Sequence, residues 1–263
     1  MPDTDFVVLP DRMLVVGDAH ANEVFIIHVL QHAEVLGIDT VLFVGDFWFY
    51  DERDLAVLDD NARLSGIKNI YFIDGNHEDF NILTPEVTGS LFPVKMSESL
   101  TYLPRGYVGM FESGLNFMTF GGAVSIDYQH RRAGVSWWPT EVPSDDDLQR
   151  ALDNAGVIGE IDVLFCHDMS QEFLRNEGIS YPPSQDYLFE ARSFAFSDKF
   201  TQLVNVIHPQ VVFHGHHHRK VSGMMENARS GYPHRPCQTF GLGADITSWS
   251  DAVAEVTFAS KVL

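Results

Sequence analysis

Residues 13–46 read MLVVGDAHANEVFIIHVLQHAEVLGIDTVLFVGD, and their pattern decides the fold. Two apolar, β-rich runs, Met13 to Gly17 and Val41 to Gly45, each end in glycine and are followed by an aspartate, Asp18 and Asp46. Between them, Ala21 to Leu36 carries Ile26, Val29, Leu30, Ala33 and Leu36 at helical spacing, with Gly37 as the stop. Strand, helix and strand in this order make a βαβ unit. Ile70 to Gly75 followed by Asn76 repeats the strand design, and Glu52 to Leu64 supplies a second helix ahead of it. Neighbouring parallel strands joined by right-handed crossovers are therefore predicted. In such sheets the active site lies beyond the carboxyl ends of the strands, where Asp18, Asp46 and Asn76 converge from three loops.

Outward from this unit the pattern changes. Leu100 to Val124 reads as short strands with glycine turns, and Pro143 to Ala155 as a helix with Ser144 as N-cap and three aspartates suited to its dipole. Val163 to Cys166 and Val211 to His214 read as strands that run into histidines, and Gln238 to Leu242 and Ala252 to Phe258 as closing strands. Asn176 to Asp198, with Pro182-Pro183 and scattered aromatics, reads as a lid or a long loop. No internal repeat or low-complexity segment breaks the chain, so a single domain over residues 1–263 is expected.

With 45% hydrophobic and 12% aromatic residues there is material for a substantial core, which argues against extended disorder. The formal net charge of -20, from 37 acidic against 17 basic side chains, repels polyanions and anionic membranes alike. A long nucleic-acid duplex and a membrane are not expected as partners; a small phosphoester substrate is. Part of that acidity can collect divalent cations, which would reverse the local field. The two cysteines, Cys166 and Cys237, give no disulfide framework. The acidic start and the lack of a long apolar run read as a soluble, cytoplasmic protein.

Five short elements carry chemistry: Gly17-Asp18-Ala19-His20, Gly45-Asp46, Gly75-Asn76-His77-Glu78, Cys166-His167-Asp168 and Gly215-His216-His217-His218. Carboxylate and amide oxygens with imidazole nitrogens are the donors that a pair of borderline divalent metals takes. A glycine after a strand, present in four of the five, lets the backbone come close to an ion and turn the next side chain inward.

These five blocks, in order over roughly residues 14 to 218, resemble the calcineurin-like metallophosphoesterase superfamily, in particular its bacterial and phage members. The resemblance implies an α/β four-layer sandwich, two mixed β-sheets flanked by helices. It also implies two divalent metal ions, one held by Asp18, His20 and His218, the other by Asn76, His167 and His216, with Asp46 bridging. A metal-bridging hydroxide would then attack phosphorus. His77 falls at the family position for a general acid or electrostatic clamp on the leaving group. Its orienting carboxylate is left open among Asp51, Glu78, Asp79 and Asp168. Manganese is the working expectation, and iron, zinc, cobalt and nickel suit the same donors.

Other histidines have simpler readings. His208, His214 and His234 read as hydrogen-bonded structural residues, and His217 as pointing between the two ligands that flank it. His28 and His32, four apart on the first helix, lack a third ligand in view. Cys166 as a nucleophile is disfavoured because His167 is better used as a ligand. The run Gly121 to Glu141, with Arg131, Arg132, Trp137 and Trp138, reads equally as a base-stacking or phosphate-binding wall and as a structural loop over the core. Leu103-Pro104-Arg105-Gly106 reads as a turn first and a phosphate contact second.

The phosphoprotein phosphatases of the superfamily place an arginine after the second aspartate block and another just before the Asn-His block. Here Phe47, Trp48, Phe49 and Tyr50 follow Asp46, and Asp74 stands in the latter place. An arginine-poor, aromatic site favours a diester, which carries one charge fewer than a monoester. The expected activity is a phosphodiesterase on small diesters, cyclic nucleotides of the 2',3' kind among the candidates. Phe47, Trp48, Arg53, Arg131 and Arg132 are the expected substrate contacts. The alternatives are a phosphomonoesterase or protein phosphatase using Arg53 as clamp, a nuclease on short single-stranded ends, and a binding scaffold without turnover.

Overall fold

The computed structural model describes residues 6–47, 52–179, 186–226 and 236–259. Its first half holds β1 (Val8–Leu9), β2 (Arg12–Val16), α1 (Glu23–Leu36), β3 (Thr40–Phe43), α2 (Glu52–Leu64), β4 (Asn69–Phe72), α3 (Pro85–Thr88), β5 (Val94–Lys95), β6 (Leu100–Tyr102), β7 (Val108–Phe111) and β8 (Asn116–Phe120). Then follow α4 (Asp145–Ile158), β9 (Val163–Cys166), α5 (Gln171–Asn176), α6 (Tyr187–Ile207), β10 (Val211–His214), β11 (Val221–Glu226), β12 (Pro236–Gly241), α7 (Trp249–Ala252) and β13 (Val253–Thr257).

Strand periodicity sorts these side chains into layers. Along β2, Met13 and Val15 enter one cluster while Leu14 and Val16 enter another with the buried face of α1. Along β9, Val163 and Phe165 join Met13 and Val15 between the sheets, while Leu164 and Cys166 pack under Leu148 of α4 and Phe196 and Phe200 of α6. Both faces of both sheets are therefore covered, as the continuous apolar runs of parallel strands require. The result is helices, sheet, sheet and helices.

One sheet runs β13-β2-β3-β4-β6-β5, with β2, β3, β4 and β6 parallel and both edge strands antiparallel. The other runs β1-β7-β8-β9-β10-β12-β11, with β8, β9, β10 and β12 parallel. The two closing strands thus join different sheets. Helix α1 starts at Glu23 because the Asn22 side chain accepts the Phe25 N–H, and it ends on the left-handed Gly37. Ser144 and Asp147 form a capping box at the start of α4.

The expected lid or loop over 176–198 is corrected: from Tyr187 onward it is the first half of α6. Asp186 accepts the Leu188 N–H, and Phe189, Phe196, Phe200, Leu203, Val204 and Ile207 put a buried stripe on one helix face. Pro182-Pro183, like Trp48, Phe49, Tyr50, Asp51 and His234, lies outside the described residues. Among the described residues no helix is long and apolar enough to cross a membrane.

Arg105 is also reassigned, because it is buried rather than turned to a ligand. Its Nε and Nη2 donate to Asp74 Oδ2 at 2.8 and 2.6 Å, Nη2 also to the Thr140 carbonyl at 2.9 Å, and Nη1 to Asp147 Oδ2 at 3.3 Å. Tyr102 donates its hydroxyl to Asp74 Oδ1 at 2.7 Å. This network ties the loop after β4 to α4. Arg105→Met should leave the buried Asp74 carboxylate without its cation and lower the unfolding free energy by about 3–5 kcal/mol, measured by urea denaturation; a loss under about 1 kcal/mol would mean that the network adds no more than a surface pair.

Candidate metal centre

Each predicted ligand stands on a loop at the carboxyl end of a strand: Asp18 and His20 after β2, Asp46 after β3, Asn76 after β4, His167 after β9, and His216 and His218 after β10. The first three strands belong to one sheet and the last two to the other. Three groups of donor atoms come within 4.8 Å of one another: Asp18, His20 and His218; His20, Asp46 and His77; and Asp46, His167 and His216. Asn76 Oδ1 lies 3.3 Å from His167 Nε2, which brings it to the last group. The structure therefore gathers all seven expected ligands and His77.

Local backbone explains the convergence. His20, Ala21, Asp46, His216 and His218 all have positive φ, between 46° and 62°, a conformation that costs side-chain-bearing residues about 1–3 kcal/mol each. The Ala19 and His20 N–H groups donate to the Asp46 carbonyl, and the Asp46 Oδ1 carboxylate oxygen accepts the His77 N–H at 2.7 Å. A Cβ on Gly75 would sit 2.1 Å from Asp46 Oδ1, and one on Gly45 2.2 Å from His167 Nδ1, so those two glycines make room for ligands. Glu78 Oε1 accepts from the Phe47 and Gly75 N–H groups and so joins two of the loops.

The donors fit divalent ions. Asp46 Oδ2 is buried and accepts no hydrogen bond; its neighbours are Nε2 of His20 at 3.6 Å and Nε2 of His167 at 3.3 Å. An orphaned carboxylate oxygen between imidazoles is what a bridging position needs. The Val44 carbonyl, 2.8 Å from His167 Nδ1, can only accept, so Nδ1 carries a proton and Nε2 is the atom turned to the cluster. His20 Nδ1 likewise donates to Asp245 Oδ1 at 3.0 Å, the carboxylate–histidine arrangement that fixes a ligating ring. Asn22 Nδ2 holds the other Asp245 oxygen at 2.9 Å. Sequence reasoning missed Asp245, which follows a Gly243-Ala244 turn bridged to Asp18 and bears no block of its own.

Charges reinforce the geometry. Burial opposes a charge on His20, but the nearby Asp46 and Asp18 carboxylates and the hydrogen bond to Asp245 outweigh it and raise the ring to about 9. Burial is outweighed in the same way at His167, which Asp46 and Asp18 raise to about 10. His216 is pushed down to about 3 by burial, with His217 and His167 adding to it. The Asp46 carboxyl is held well below the usual range despite burial, by His167 and His77 foremost.

Other expectations are revised. Among the described residues no carboxylate hydrogen-bonds the His77 ring; Arg131 Nη2 lies 2.6 Å from its Nε2, and Arg131 Nε pairs with Asp127 at 2.9 Å. Burial, Arg131 and His20 lower the His77 pKa. Glu78 is engaged as above, and Asp168 Oδ1 takes His217 Nε2 at 2.9 Å, which keeps that ring on a carboxylate between its two neighbours. Phe47 is no substrate contact: the chain turns inward at Asp46, and the ring packs on Phe43 and Phe72 in the core. Arg53 is exposed on the first turn of α2, and Arg132 is exposed beside Arg131. Trp138 is buried and donates to Asn81, whereas Trp137 stacks near Tyr128. His32 packs on Trp249. The Cys166 thiol is buried, raised well above its ordinary pKa by that burial, and directed at the Phe213 carbonyl, which removes it as a nucleophile.

Comparison with known proteins identifies the family. The family model for calcineurin-like phosphoesterases matches residues 12–220, and the chain belongs to that family of metal-dependent phosphoester hydrolases, whose members typically bind two divalent metals. Among solved structures it is similar to a dimetal phosphatase from Danio rerio, with 12% identity over 97% of this chain and 93% of that one at a TM-score of 0.50. It is also similar to the protein TT1561 of Thermus thermophilus, with 10% identity over 89% of each chain at a TM-score of 0.48. At 12% identity the likeness to the Danio rerio protein concerns the fold alone. No curated protein sequence matches the chain significantly.

The raised His20 and His167 pKa values give a pH dependence. Charged imidazoles stabilise the ion-free fold most below their ordinary value of 6.5, and that stabilisation is lost as pH rises through about 9 to 10. An ion has to displace these protons. Mn²⁺ affinity should therefore climb with pH above 7, with proton release at pH 7 seen by calorimetry in buffers of different ionisation enthalpy; flat affinity with no release would contradict the assigned protonation.

Proposed function

We propose that this chain is a two-metal phosphodiesterase for small diesters, with cyclic nucleotides, the 2',3' kind included, as candidate substrates. Asp18, His20 and His218 would hold one ion, and Asn76, His167 and His216 the other, with Asp46 between them. When bound, the ions supply Lewis-acid polarisation of the phosphoryl oxygens and of the attacking water. Manganese is the working choice for this mixed nitrogen and oxygen set. With Cys166 and Cys237 unpaired and buried, a reducing compartment such as the cytoplasm suits the protein.

The observation that carries the diester preference is the fate of the arginines. Where the resembling phosphoprotein phosphatases carry a phosphate-gripping arginine ahead of the Asn-His block, this chain has Asp74, buried and bonded to Arg105. After Asp46 the first residue, Phe47, is core. Among the described residues Arg131 is the guanidinium that meets a site ring, through His77. A single cation suits a monoanionic diester better than a dianionic monoester.

His77 would serve the leaving oxygen. A guanidinium only donates, so Nε2 accepts from Arg131 and the proton of the neutral ring sits on Nδ1, the atom from which it can be passed on. Arg131 then orients the ring and leaves part of its charge for a phosphoryl oxygen.

Initial rates on a chromogenic phosphodiester and the matching monoester, with ion-stripped protein titrated with Mn²⁺, test the proposal. Diester turnover should exceed monoester turnover, His77→Ala should lower kcat by about 10²–10⁴-fold, and Asp46→Asn should abolish activity with the fold retained. Monoester preference would move the assignment to a phosphatase clamped by Arg131, and no turnover of either ester would favour the scaffold.

A further inference from the structure

One buried chain of polar groups leads away from Asn76. Its Nδ2 is 3.0 Å from Ser125 Oγ, Ser125 Oγ is 2.7 Å from Glu141 Oε2, and the Ser125 N–H donates to Glu141 Oε1 at 2.9 Å. Arg192 Nη2, on α6, donates to the same Oε1 at 2.8 Å. Asn76, Ser125 and Glu141 are 3%, 1% and 0% exposed, so water does not compete with these bonds. The Arg192 guanidinium also lies over the Trp137 ring at 5.0 Å and near the Tyr128 ring at 5.7 Å, which fixes its position.

With Glu141 ionised opposite Arg192, the proton count along this chain has one solution. Glu141 is the acceptor of three donors, namely the Ser125 N–H, the Ser125 hydroxyl and Arg192. A serine hydroxyl has one proton, and here Glu141 takes it, so toward Asn76 the oxygen can only accept. The Asn76 carboxamide must then present its NH₂ to Ser125, which turns Oδ1 to the opposite side, 3.3 Å from His167 Nε2 and in the ion group. The amide oxygen is a metal ligand and the amide nitrogen is not. A rotated Asn76 would aim two N–H groups at the ion.

We propose that Ser125 and Glu141 are positioning residues that lock the Asn76 carboxamide with its oxygen toward the metal, with Arg192 holding Glu141 in place. The inference rests on the reading of Asn76 as a ligand. It gives the segment between β8 and α4 a definite role, since within the run from Gly121 to Glu141 it is Ser125 and Glu141 that act on the ion through Asn76. Replacing Glu141 by glutamine would introduce a donor beside Ser125, release the hydroxyl proton toward Asn76 and let the amide turn over.

The test is Mn²⁺ binding, measured by calorimetry on ion-stripped wild type, Asn76→Ala, Ser125→Ala, Ser125→Thr, Glu141→Gln and His218→Ala, with thermal melts of the ion-free proteins as the check on folding. His218→Ala identifies the ion held by the Asp18 group, and Asn76→Ala the other. Ser125→Ala and Glu141→Gln should weaken the ion that Asn76→Ala weakens, by about 10–100-fold, and leave the first unchanged. Ser125→Thr, which keeps the hydroxyl, should recover most of the loss. If Asn76→Ala loses one ion while Ser125→Ala binds both as tightly as wild type, the positioning role is wrong and the ligand reading stands; Ser125→Ala removes a single oxygen and decides the matter even if Glu141→Gln fails to fold. If Asn76→Ala itself keeps both ions, the ligand reading falls and the positioning role falls with it. Equal weakening of both ions by Ser125→Ala would mark a general structural effect and overturn the proposal.

Discussion

The carboxylate of Asp46 is where the two sheets become one site. Its main-chain carbonyl accepts from the loop after β2, its Oδ1 from the loop after β4, and its Oδ2 lies between imidazoles contributed by the loops after β2 and β9. A buried carboxylate with an oxygen that accepts no hydrogen bond is expensive, because ionised groups taken out of water have to be compensated. Here the compensation is positive charge on imidazoles when ions are absent, and a divalent pair fits the same place. Residues around it are constrained by this one group: Gly75 has no room for a Cβ, and His77 is oriented at its backbone before its ring is used.

Strain at the ligand loops follows from the same constraint. Short turns that leave a strand and face back across its end need left-handed backbone, and His20, Asp46, His216 and His218 adopt it although they bear side chains. Such conformations persist only where the surroundings over-determine them. The surroundings here are specific: Asp245 holds His20, the Asp18 carboxylate accepts the His216 N–H at 3.1 Å, and the His167 carbonyl accepts the Gly215 N–H at 3.0 Å. Strand ends on both sheets supply the rigidity, and the loops supply the chemistry.

What could be read from the sequence was what repeats locally. The runs ending in glycine gave β2, β3 and β4; the spacing of Ile26, Val29, Leu30 and Ala33 gave α1; and ligands that follow strands were visible in their blocks. What escaped depends on contacts between distant residues. Asp245 meets His20 across 225 positions, and Arg131 meets His77 across 54. Phe47 looks like a substrate contact in sequence because the left-handed turn at Asp46 that sends it into the core leaves no mark in composition. Helix α6 was obscured because Pro182-Pro183 and the aromatics suggested a loop, although those aromatics recur on one helical face.

The distribution of arginine ties the fold to its chemistry. In a chain of net charge -20, cations are scarce, and the buried architecture takes several of them. Arg105 is committed to Asp74 and Asp147, Arg150 to Asp147, and Arg192 to Glu141. Two of these pairs brace a segment that carries or supports a site residue: Asp74 precedes Gly75-Asn76, and Glu141 reaches Asn76 through Ser125. The guanidinium groups that another phosphoesterase could turn toward phosphate are thereby used to hold the backbone that presents the ligands. On the proposed reading, the ions that this site would hold supply the main attraction for an anionic substrate, with Arg131 beside His77 as the local addition. Substrate binding would then be conditional on ion binding, because without ions the site is a cluster of carboxylates and imidazoles in a strongly acidic protein.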